Sequence, residues 1–224
     1  MDFLKKFSEE KVQKLRKIVA NFLLENQKIN LSAIREEKAI WEKHVFDSLQ
    51  AVEILAKSNS KKILDIGTGG GFPGLVLAAI FPEKSFFLLD SVKKKIDAVQ
   101  KIAEKSMIKN VNFLVSRAEN IAWDKKFREK FDFVVSRAAA IFPIILELGL
   151  PFLKIDGEFL VFRGPNNLES EKKLSEKFGG KLEKIKKYSL PSGENREIWK
   201  IRKIKTNSIF PRKFSEIKRE FKEK

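Results

Sequence analysis

The chain has no cysteine among its 224 residues and only one histidine, His44. The absence of cysteine excludes disulfide bonds, thiolate metal sites and cysteine nucleophiles. A single histidine without cysteine partners also makes a zinc site at His44 an unfavourable interpretation. We therefore expect no metal site, and a fold that its apolar core holds together.

Long apolar runs are also missing. No stretch approaches the roughly 18 residues that span a bilayer as a helix. The segment Met1–Phe7 becomes charged too early for a secretory signal peptide. The hydrophobic fraction of 43% is nevertheless enough to fill the core of one α/β domain with an added segment. These features predict a cytoplasmic protein that does not associate with membranes.

The charge is strongly positive and unevenly distributed. The net charge is +16, and residues 179–224 carry 15 basic and 6 acidic residues, a net of +9. Residues 1–60 carry a net of only +2, from 11 basic and 9 acidic residues. A concentrated basic segment is typical of a polyanion-binding protein, which favours a nucleic-acid partner. A compositional bias towards lysine remains the alternative, although such a bias should spread evenly along the chain.

Hydropathy patterns divide the chain into three parts. Residues 1–57 predict a helical N-terminal cap, with a break at Asn26–Ser32 and a second helix from about Arg35 to Ala56. Residues 58–205 alternate between strand and helix patterns, which predicts a parallel sheet with helices on both faces. Residues 206–224 form a basic C-terminal tail. The predicted strands of the alternating part are Lys62–Ile66, Ser85–Asp90, Val111–Val115, Phe131–Ser136 and Glu158–Arg163.

A hairpin is expected at the end of the alternating part. The strand patterns Lys184–Leu190 and Glu197–Ile204 flank the turn-rich loop Pro191–Asn195. Two strands that are joined so directly should pair antiparallel.

The most informative motif is a glycine cluster that follows the first strand. The segment Ile63–Gly71 runs from a strand into glycines, which let a backbone approach a ligand closely because no Cβ intrudes. Such a loop lies at the carboxyl edge of a parallel sheet, where ligands bind in folds of this kind. Asp90 ends the second strand, where a carboxylate can accept hydrogen bonds from both hydroxyls of an adenosine ribose.

Two cofactors compete for this loop. The segment Gly69–Gly74 formally matches the dinucleotide fingerprint GxGxxG, which leaves a nicotinamide cofactor open. Asp65 precedes the glycines, and its negative charge suits the sulfonium and ammonium groups of S-adenosylmethionine but would repel a pyrophosphate. The expected antiparallel hairpin is also a methyltransferase feature. The residues therefore favour S-adenosylmethionine.

The flanking motifs resemble the small-subunit (16S) ribosomal RNA guanine-N7 methyltransferase family, often called RsmG or GidB. The resemblance covers most of the chain. Its motifs are Asn30–Ile34, His44–Leu49 (the HxxDSL pattern), Leu64–Gly74, Leu89–Ser91, Ser116–Glu119, Val135–Ala138, Leu190–Pro191 and Phe210–Lys213. The fifth strand departs from the pattern, because it ends Arg163–Gly164 where the family usually has Lys-Gly.

The resemblance implies a class I S-adenosylmethionine-dependent methyltransferase fold. This fold is Rossmann-like, with a mostly parallel seven-stranded sheet, an antiparallel C-terminal hairpin and a preceding helical segment. The implied activity is methylation of a guanine N7 in 16S ribosomal RNA. The RNA or the small ribosomal subunit would be the partner. Independently of the resemblance, we expect a monomer, a state that the sequence does not fix.

The resemblance also implies the cofactor contacts. These are Gly67, Gly69 and Phe72 in the loop, Ala118 and Glu119 after the third strand, and Arg137 after the fourth. Arg137 is further a candidate for positioning the substrate or the cofactor. No catalytic residue is assigned.

Several of these residues have structural alternatives. Phe72 could be a core anchor beneath the loop, and Glu119 could cap a helix that begins at Asn120. Arg137 could form an ion pair with Asp65, Asp90 or Glu119. His44 is best interpreted as a packing residue that ties the helical cap to the main domain, with direct catalysis as the second possibility.

What the chain lacks also narrows the reaction. Without cysteine, the covalent route to pyrimidine C5 methylation is closed. The fourth strand ends Ser136–Arg137, without the (Asp/Asn)-Pro-Pro-aromatic motif of many exocyclic-amine methyltransferases and without an acid suited to ribose methylation. A ring nitrogen such as guanine N7 remains, and its free lone pair needs no general base. A small-molecule methyltransferase and a non-catalytic RNA-binding or assembly factor stay as alternatives.

Overall fold

A computed structural model describes residues 2–165 and 168–221 of the chain. Residues 222–224, at the end of the predicted basic tail, lie outside the described residues, as does residue 1. Among the described residues, seven strands form one sheet in the order β3-β2-β1-β4-β5-β7-β6. The strands are β1 (Lys62–Ile66), β2 (Ser85–Asp90), β3 (Val111–Val115), β4 (Phe131–Arg137), β5 (Leu153–Arg163), β6 (Gly180–Ser189) and β7 (Asn195–Lys203).

The predicted sheet is confirmed. Strands β1 to β5 pair in parallel, and β7 pairs antiparallel with both β5 and β6. β1 is buried from Ile63 to Ile66 because it lies at the centre of the sheet with helices on both faces. This arrangement brings the carboxyl ends of β1, β2, β3 and β4 to one edge, where the glycine loop begins.

Helices cover both faces of the sheet. The α-helices are α1 (Glu9–Lys28), α2 (Glu37–Ile40), α3 (Asp47–Leu49), α4 (Val52–Ala56), α5 (Gly74–Ile80), α6 (Lys93–Lys105), α7 (Ala118–Ile121), α8 (Phe142–Gly149), α9 (Leu168–Lys177) and α10 (Phe214–Glu220). The N-terminal helices share one core cluster with α5 and α6, and α7, α8 and α10 contribute to a second cluster. α1 packs directly on α5 and α6. Leu15, Ile18 and Phe22 of α1 are fully buried there.

The expected second helix from about Arg35 to Ala56 is wrong as a continuous element. The structure breaks it into α2, a π-helical turn at Trp41–Phe46, α3 and α4. Trp41, Val45, Leu49 and Leu55 of its apolar stripe are buried and Val52 is half-buried, so the helical periodicity predicts the buried face correctly. Periodicity does not reveal the wider turn, because Trp41, Val45 and Leu49 are four residues apart, a spacing that suits both an α-helical turn and a π-helical turn.

The predicted basic tail is packed against the protein over its described part. Phe210 and Ile217 are buried in the second core cluster, and the segment ends in α10. Whether residues 1–57, 58–205 and 206–224 behave as separate units stays a prediction. None of the helices in residues 2–165 and 168–221 is both long enough and apolar enough to cross a membrane.

Candidate cofactor and substrate site

A cleft of about 430 Å³ opens at the carboxyl edge of the sheet. Its size lies within the range of small-molecule sites. The ends of β1, β2, β3 and β4 contribute to its wall. The sequence-predicted residues that line it are Gly67, Gly69, Phe72, Asp90, Ala118, Glu119 and Arg137. The fold therefore gathers the predicted cofactor residues around one cleft, although they come from four separate parts of the chain.

The glycine loop takes conformations that favour glycine. Gly67 has a φ of +68° and Gly69 a φ of +55°, both in the left-handed region. A Cβ on Gly67 would lie 2.5 Å from the Cβ of Ala139, so the loop and the segment after β4 are in close contact. A Cβ on Gly69 would meet only the carbonyl oxygen of Gly67, at 3.9 Å. Space is thus left open beside Gly69, where a ligand can approach the backbone.

Asp65 supports the loop from behind. It is completely buried and does not line the cleft. Its Oδ2 accepts hydrogen bonds from the Thr68 hydroxyl at 2.7 Å and from the Gly74 backbone N–H at 2.9 Å. Burial raises the pKa of Asp65 to about 6, and its Oδ1 has no hydrogen-bond partner among the described residues. The expectation that Asp65 presents its charge to the cofactor gives way to a role in shaping the loop.

Asp90 lies in the cleft itself. Its Oδ2 accepts the backbone N–H of Gly69 at 3.0 Å, and its Oδ1 accepts that of Val92 at 2.9 Å. Each carboxylate oxygen has a second lone pair, so the fixed carboxylate can still accept hydrogen bonds from two ligand hydroxyls. The position agrees with the ribose-binding role that the sequence predicts.

Ala118 and Glu119 lie where β3 is followed by the short helix α7. Arg117 is the residue that precedes this helix, so Glu119 falls in the first turn and does not cap a helix at Asn120. The side chain of Ala118 is buried, and Glu119 is half-buried. Both residues line the cleft.

Arg137 ends β4 and is held by the N-terminal segment. Its Nη1 donates to the carbonyl oxygen of Lys43 at 2.7 Å and lies 3.1 Å from Oδ2 of Asp47. Its Nη2 lies 3.0 Å from Nδ1 of His44. The predicted alternative of an ion pair with Asp65, Asp90 or Glu119 is therefore wrong. The partner is Asp47, an acid that is 90 residues away along the chain.

His44 packs against the cofactor loop. Its ring stacks on Phe72 with centroids 4.9 Å apart, and its Nε2 lies 3.1 Å from the Ser32 hydroxyl. Burial, together with the charge of Arg137, lowers the pKa of His44 to about 3. The carbonyl oxygen of Lys43 also lies 3.2 Å from Nδ1, but a guanidinium can only donate, so Nδ1 accepts from Arg137. The neutral ring then carries its proton on Nε2 and donates to Ser32. These contacts agree with the packing interpretation, and Phe72 both packs in the core and lines the cleft.

The N-terminal segment supplies part of the cleft wall, which the sequence did not reveal. Phe22, Leu31, Ser32 and His44 line the cleft together with the glycine loop. The available signal was His44 with Asp47 three residues later, a polar pair on an otherwise apolar helical stripe. Only the tertiary structure shows that this pair contacts Arg137 at the end of β4.

A second cleft of about 650 Å³ shares a wall with the first. His44, Arg137, Ile145 and the segment Ala138–Ala140 line both. Three acidic residues also line the second cleft, and each lies beside a lysine or an arginine. Asp47 faces Arg137, Glu171 lies 3.3 Å from Arg163, and Glu194 bonds to Lys43 and Arg196.

Comparison with known proteins agrees with this geometry. A family described as rRNA small subunit methyltransferase G, or GidB, matches residues 11–199. The chain belongs to this family. A protein of Fusobacterium nucleatum named ribosomal RNA small subunit methyltransferase G is 39% identical over 211 residues, which are 92% of this chain and 90% of that protein. A protein of the same name from Clostridium novyi is 40% identical over 194 residues, covering 84% and 79% of the two chains.

Solved structures share the fold of this family member. A SAM-dependent methyltransferase from Aquifex aeolicus has a TM-score of 0.55 at 15% identity, covering 73% of this chain and 93% of that one. A precorrin-6y C5,15-methyltransferase from Geobacter metallireducens has a TM-score of 0.53 at 16% identity, covering 70% and 88%. At such identities the likeness concerns the fold, which is that of the class I methyltransferases.

Family and fold together make S-adenosylmethionine the cofactor of this GidB family member, and the cleft suits it. An open glycine at position 69 admits the ligand, and the Asp90 carboxylate can accept hydrogen bonds from a ribose. The cleft also has apolar walls at Ile66, Leu89 and Ile145 that can accommodate an adenine ring. Membership of a methyltransferase family disfavours the nicotinamide alternative.

Proposed function

We propose that this protein methylates the N7 atom of a guanine in the ribosomal RNA of the small subunit. Family membership supports the substrate class, since the similar proteins carry the name ribosomal RNA small subunit methyltransferase G. The net charge of +16 supports an RNA partner, because Lys and Arg side chains gain free energy by displacing counterions from phosphates.

The cofactor contacts of this proposal follow the cleft. Gly67, Gly69 and Phe72 bind along the loop, and Asp90 accepts the ribose hydroxyls. Ala118 and Glu119 border the adenine end. When bound, S-adenosylmethionine supplies an electrophilic methyl group on a sulfonium, so the protein needs only to orient the acceptor and exclude water.

The second cleft is the proposed site of the target guanine. It meets the cofactor cleft at Arg137 and Ala138–Ala140, so a base in the second cleft would face a cofactor in the first. Holding the acceptor nitrogen in line with the methyl carbon and sulfur can supply about 7–11 kcal/mol of the barrier through effective molarity. The guanidinium of Arg137, a permanent cation, would lie between the target guanine and the cofactor.

The observation that carries the N7 assignment is that the titratable groups at this boundary are already engaged. His44 stays neutral and is bound through both ring nitrogens, by Arg137 and by Ser32. Asp47 is bound by Arg137 and Tyr188. Of the described side chains at this boundary, neither His44 nor Asp47 is thus free to remove a proton, whereas guanine N7 has a lone pair and no proton to lose. Direct transfer fits this arrangement better than methylation of an amine or a hydroxyl.

Radiolabelled methyl transfer tests the proposal. Small-subunit ribosomal RNA from cells that lack this protein should accept the label, and nucleoside analysis should identify 7-methylguanosine. RNA with 7-deazaguanine at the target should bind but accept no methyl group. Single-turnover rates should show no ascending limb between about pH 6 and 9, because no catalytic base has to ionise.

Two results would contradict the proposal. Label on another atom of the guanine, including in the 7-deaza analogue, would refute the N7 assignment and require a base. Binding of RNA and cofactor without any transfer would favour a non-catalytic assembly factor instead.

A further inference from the structure

One tryptophan is held at the surface in a fixed orientation. Trp123 is 48% exposed, whereas Trp41 and Trp199 are 4% and 0% exposed. Its Nε1–H donates to the carbonyl oxygen of Pro211 at 3.1 Å. The Arg128 guanidinium lies over its ring, 4.5 Å from the centroid. The guanidinium lies over one face of the indole, and the hydrogen bond fixes the edge of the indole ring. The remaining exposed part of the Trp123 ring is therefore held in a fixed orientation in contact with water.

Arg128 is itself fixed by backbone groups. Its Nη1 donates to the carbonyl oxygens of Ala122 at 3.3 Å and Phe210 at 3.1 Å, and its Nη2 donates to that of Asn207 at 3.4 Å. Neither partner of the Trp123–Arg128 pair can therefore turn away easily. An exposed aromatic ring contributes little to the stability of the fold through burial. The fixed orientation of the Trp123 ring therefore indicates a function for its exposed surface.

A second aromatic–cation group lies at the cofactor cleft. The Arg117 guanidinium lies 5.7 Å from the ring centroid of Phe214, and the Lys218 ammonium lies 5.1 Å from it. Arg117 and Phe214 line the rim of the cofactor cleft. Phe214 follows Pro211, whose carbonyl holds Trp123, by three residues. We call Arg117, Trp123, Arg128, Phe214 and Lys218 the aromatic–basic strip.

The charge beside the strip is mainly positive. Lys125 and Lys126 follow Trp123 and are exposed. Asp124 is the acid between them and Trp123, and its Oδ1 is bound to the Lys126 backbone N–H at 2.8 Å. Exposed cations next to a free aromatic surface suit a ligand that combines phosphates with flat rings.

We propose that the aromatic–basic strip binds the single-stranded RNA that flanks the target guanine, with one base stacked on the free surface of Trp123. The inference rests on the proposed function, because it takes RNA as the substrate. Stacking on an aromatic ring tolerates any base, and Lys and Arg contact the phosphates without reading sequence. The strip therefore supplies affinity for the RNA and orients the strand, while the clefts select the atom that is methylated.

Tryptophan fluorescence tests the strip. The probe is a single-stranded oligoribonucleotide of about ten nucleotides, long enough to cover one binding surface of this kind. It should quench the emission of Trp123 and protect it from iodide. In Trp123→Ala the RNA affinity should fall at least about fivefold, whereas Trp123→Phe, which can still stack, should lose less than about twofold. Ile155→Ala, which removes a side chain of similar exposure on β5, is the matched control and should bind RNA normally.

Cofactor affinity and thermal unfolding show whether Trp123→Ala remains folded. If that variant unfolds early, iodide protection of Trp123 in the unmodified protein still decides the question. Unchanged RNA affinity in a folded Trp123→Ala variant, or no protection of Trp123 by RNA, would overturn the proposal. Protection by ribosomal protein but not by RNA would assign the strip to a protein partner instead. A methylation assay on the unmodified protein separates the two proposals. Methyl transfer without RNA binding at the strip would overturn only the strip proposal, whereas no methyl transfer would contradict only the proposed function.

Discussion

The Arg137 guanidinium lies 3.1 Å from the Asp47 carboxylate, and both side chains are largely buried, at 14% and 5% exposure. The other carboxylate oxygen of Asp47 accepts the Tyr188 hydroxyl, whose pKa is raised by burial and by the neighbouring acid. This contact joins the N-terminal segment, β4 and β6 where the two clefts meet. The N-terminal helical segment therefore forms part of the site and does not only cover the sheet.

Removing Asp47 should destabilise the protein considerably. In Asp47→Ala the guanidinium of Arg137 is left largely buried without its counter-charge, which should cost about 3–5 kcal/mol of unfolding free energy. Urea unfolding measures the loss. Asp97→Ala breaks the exposed pair with Lys93 and serves as the control, with little expected change. Equal effects of the two substitutions would mean that the Asp47–Arg137 contact contributes no more than a surface pair.

His44 should stay neutral through the physiological range. Its pKa is lowered to about 3 by burial and by Arg137, while an unfolded histidine titrates near 6.5. Since the folded pKa is the lower one, the stability that His44 contributes is present above about pH 6.5 and is lost as the pH falls towards 3. The chain has one histidine, so its ring signals in NMR are unambiguous.

Those signals should show an Nε2–H tautomer with no titration between about pH 5 and 8. The same protein in concentrated urea provides the control, where the ring should titrate normally. A midpoint between about pH 6 and 7 in the folded protein would show that the ring is neither buried nor held beside Arg137, and would reopen a catalytic role for His44.

Asp90 should control cofactor affinity. Replacing it in Asp90→Ala removes the carboxylate that can hold the ribose, and the loss of a charged hydrogen bond of about 2–3 kcal/mol predicts at least tenfold weaker binding by calorimetry. Ser91→Ala changes a neighbouring residue that also lines the cleft and should bind nearly normally. Unchanged affinity in Asp90→Ala, or tight binding of a nicotinamide dinucleotide, would contradict the assignment of the ribose.

Arg212 should act on stability and not on RNA affinity. Its guanidinium and backbone N–H bind the fully buried Glu147, at distances between 2.7 and 2.9 Å. Arg212→Ala leaves that carboxylate without its cation and should cost about 3 kcal/mol of unfolding free energy. Lys213→Ala, the adjacent exposed cation, should leave stability unchanged and lower the slope of log RNA affinity against log salt by about 0.7–0.9 if it contacts a phosphate. If Arg212→Ala instead lowers the slope of log RNA affinity against log salt and leaves the unfolding free energy unchanged, Arg212 contacts RNA and does not stabilise the fold.

Much of the fold could be predicted from the sequence because its signals are local. The bounds of β1, β2 and β3 were predicted to the residue, since each is an apolar run between breakers of regular structure. The parallel sheet follows from the alternation of strands and helices. The glycine loop could be located for the same reason, because its conformation and its place after β1 depend on neighbouring residues. Gly67 on this loop and Asp90 at the end of β2 are accordingly both predicted as cofactor contacts from the sequence, and both line the cleft.

What the sequence by itself determined, then, is the order of the elements, the loop and the chemical class that its motifs resemble. Only the tertiary structure decided what Arg137, Asp47 and Glu147 contact, and that Arg212 is bound to the core instead of being free in a tail. Asp47 lies 90 residues from Arg137 and 141 from Tyr188, and Arg212 lies 65 from Glu147. Each of these charges has several oppositely charged side chains as conceivable partners, and local pattern gives no means of choosing. The choice follows from how the helices pack on the sheet, because a buried charge is tolerated only where the fold brings a partner within reach.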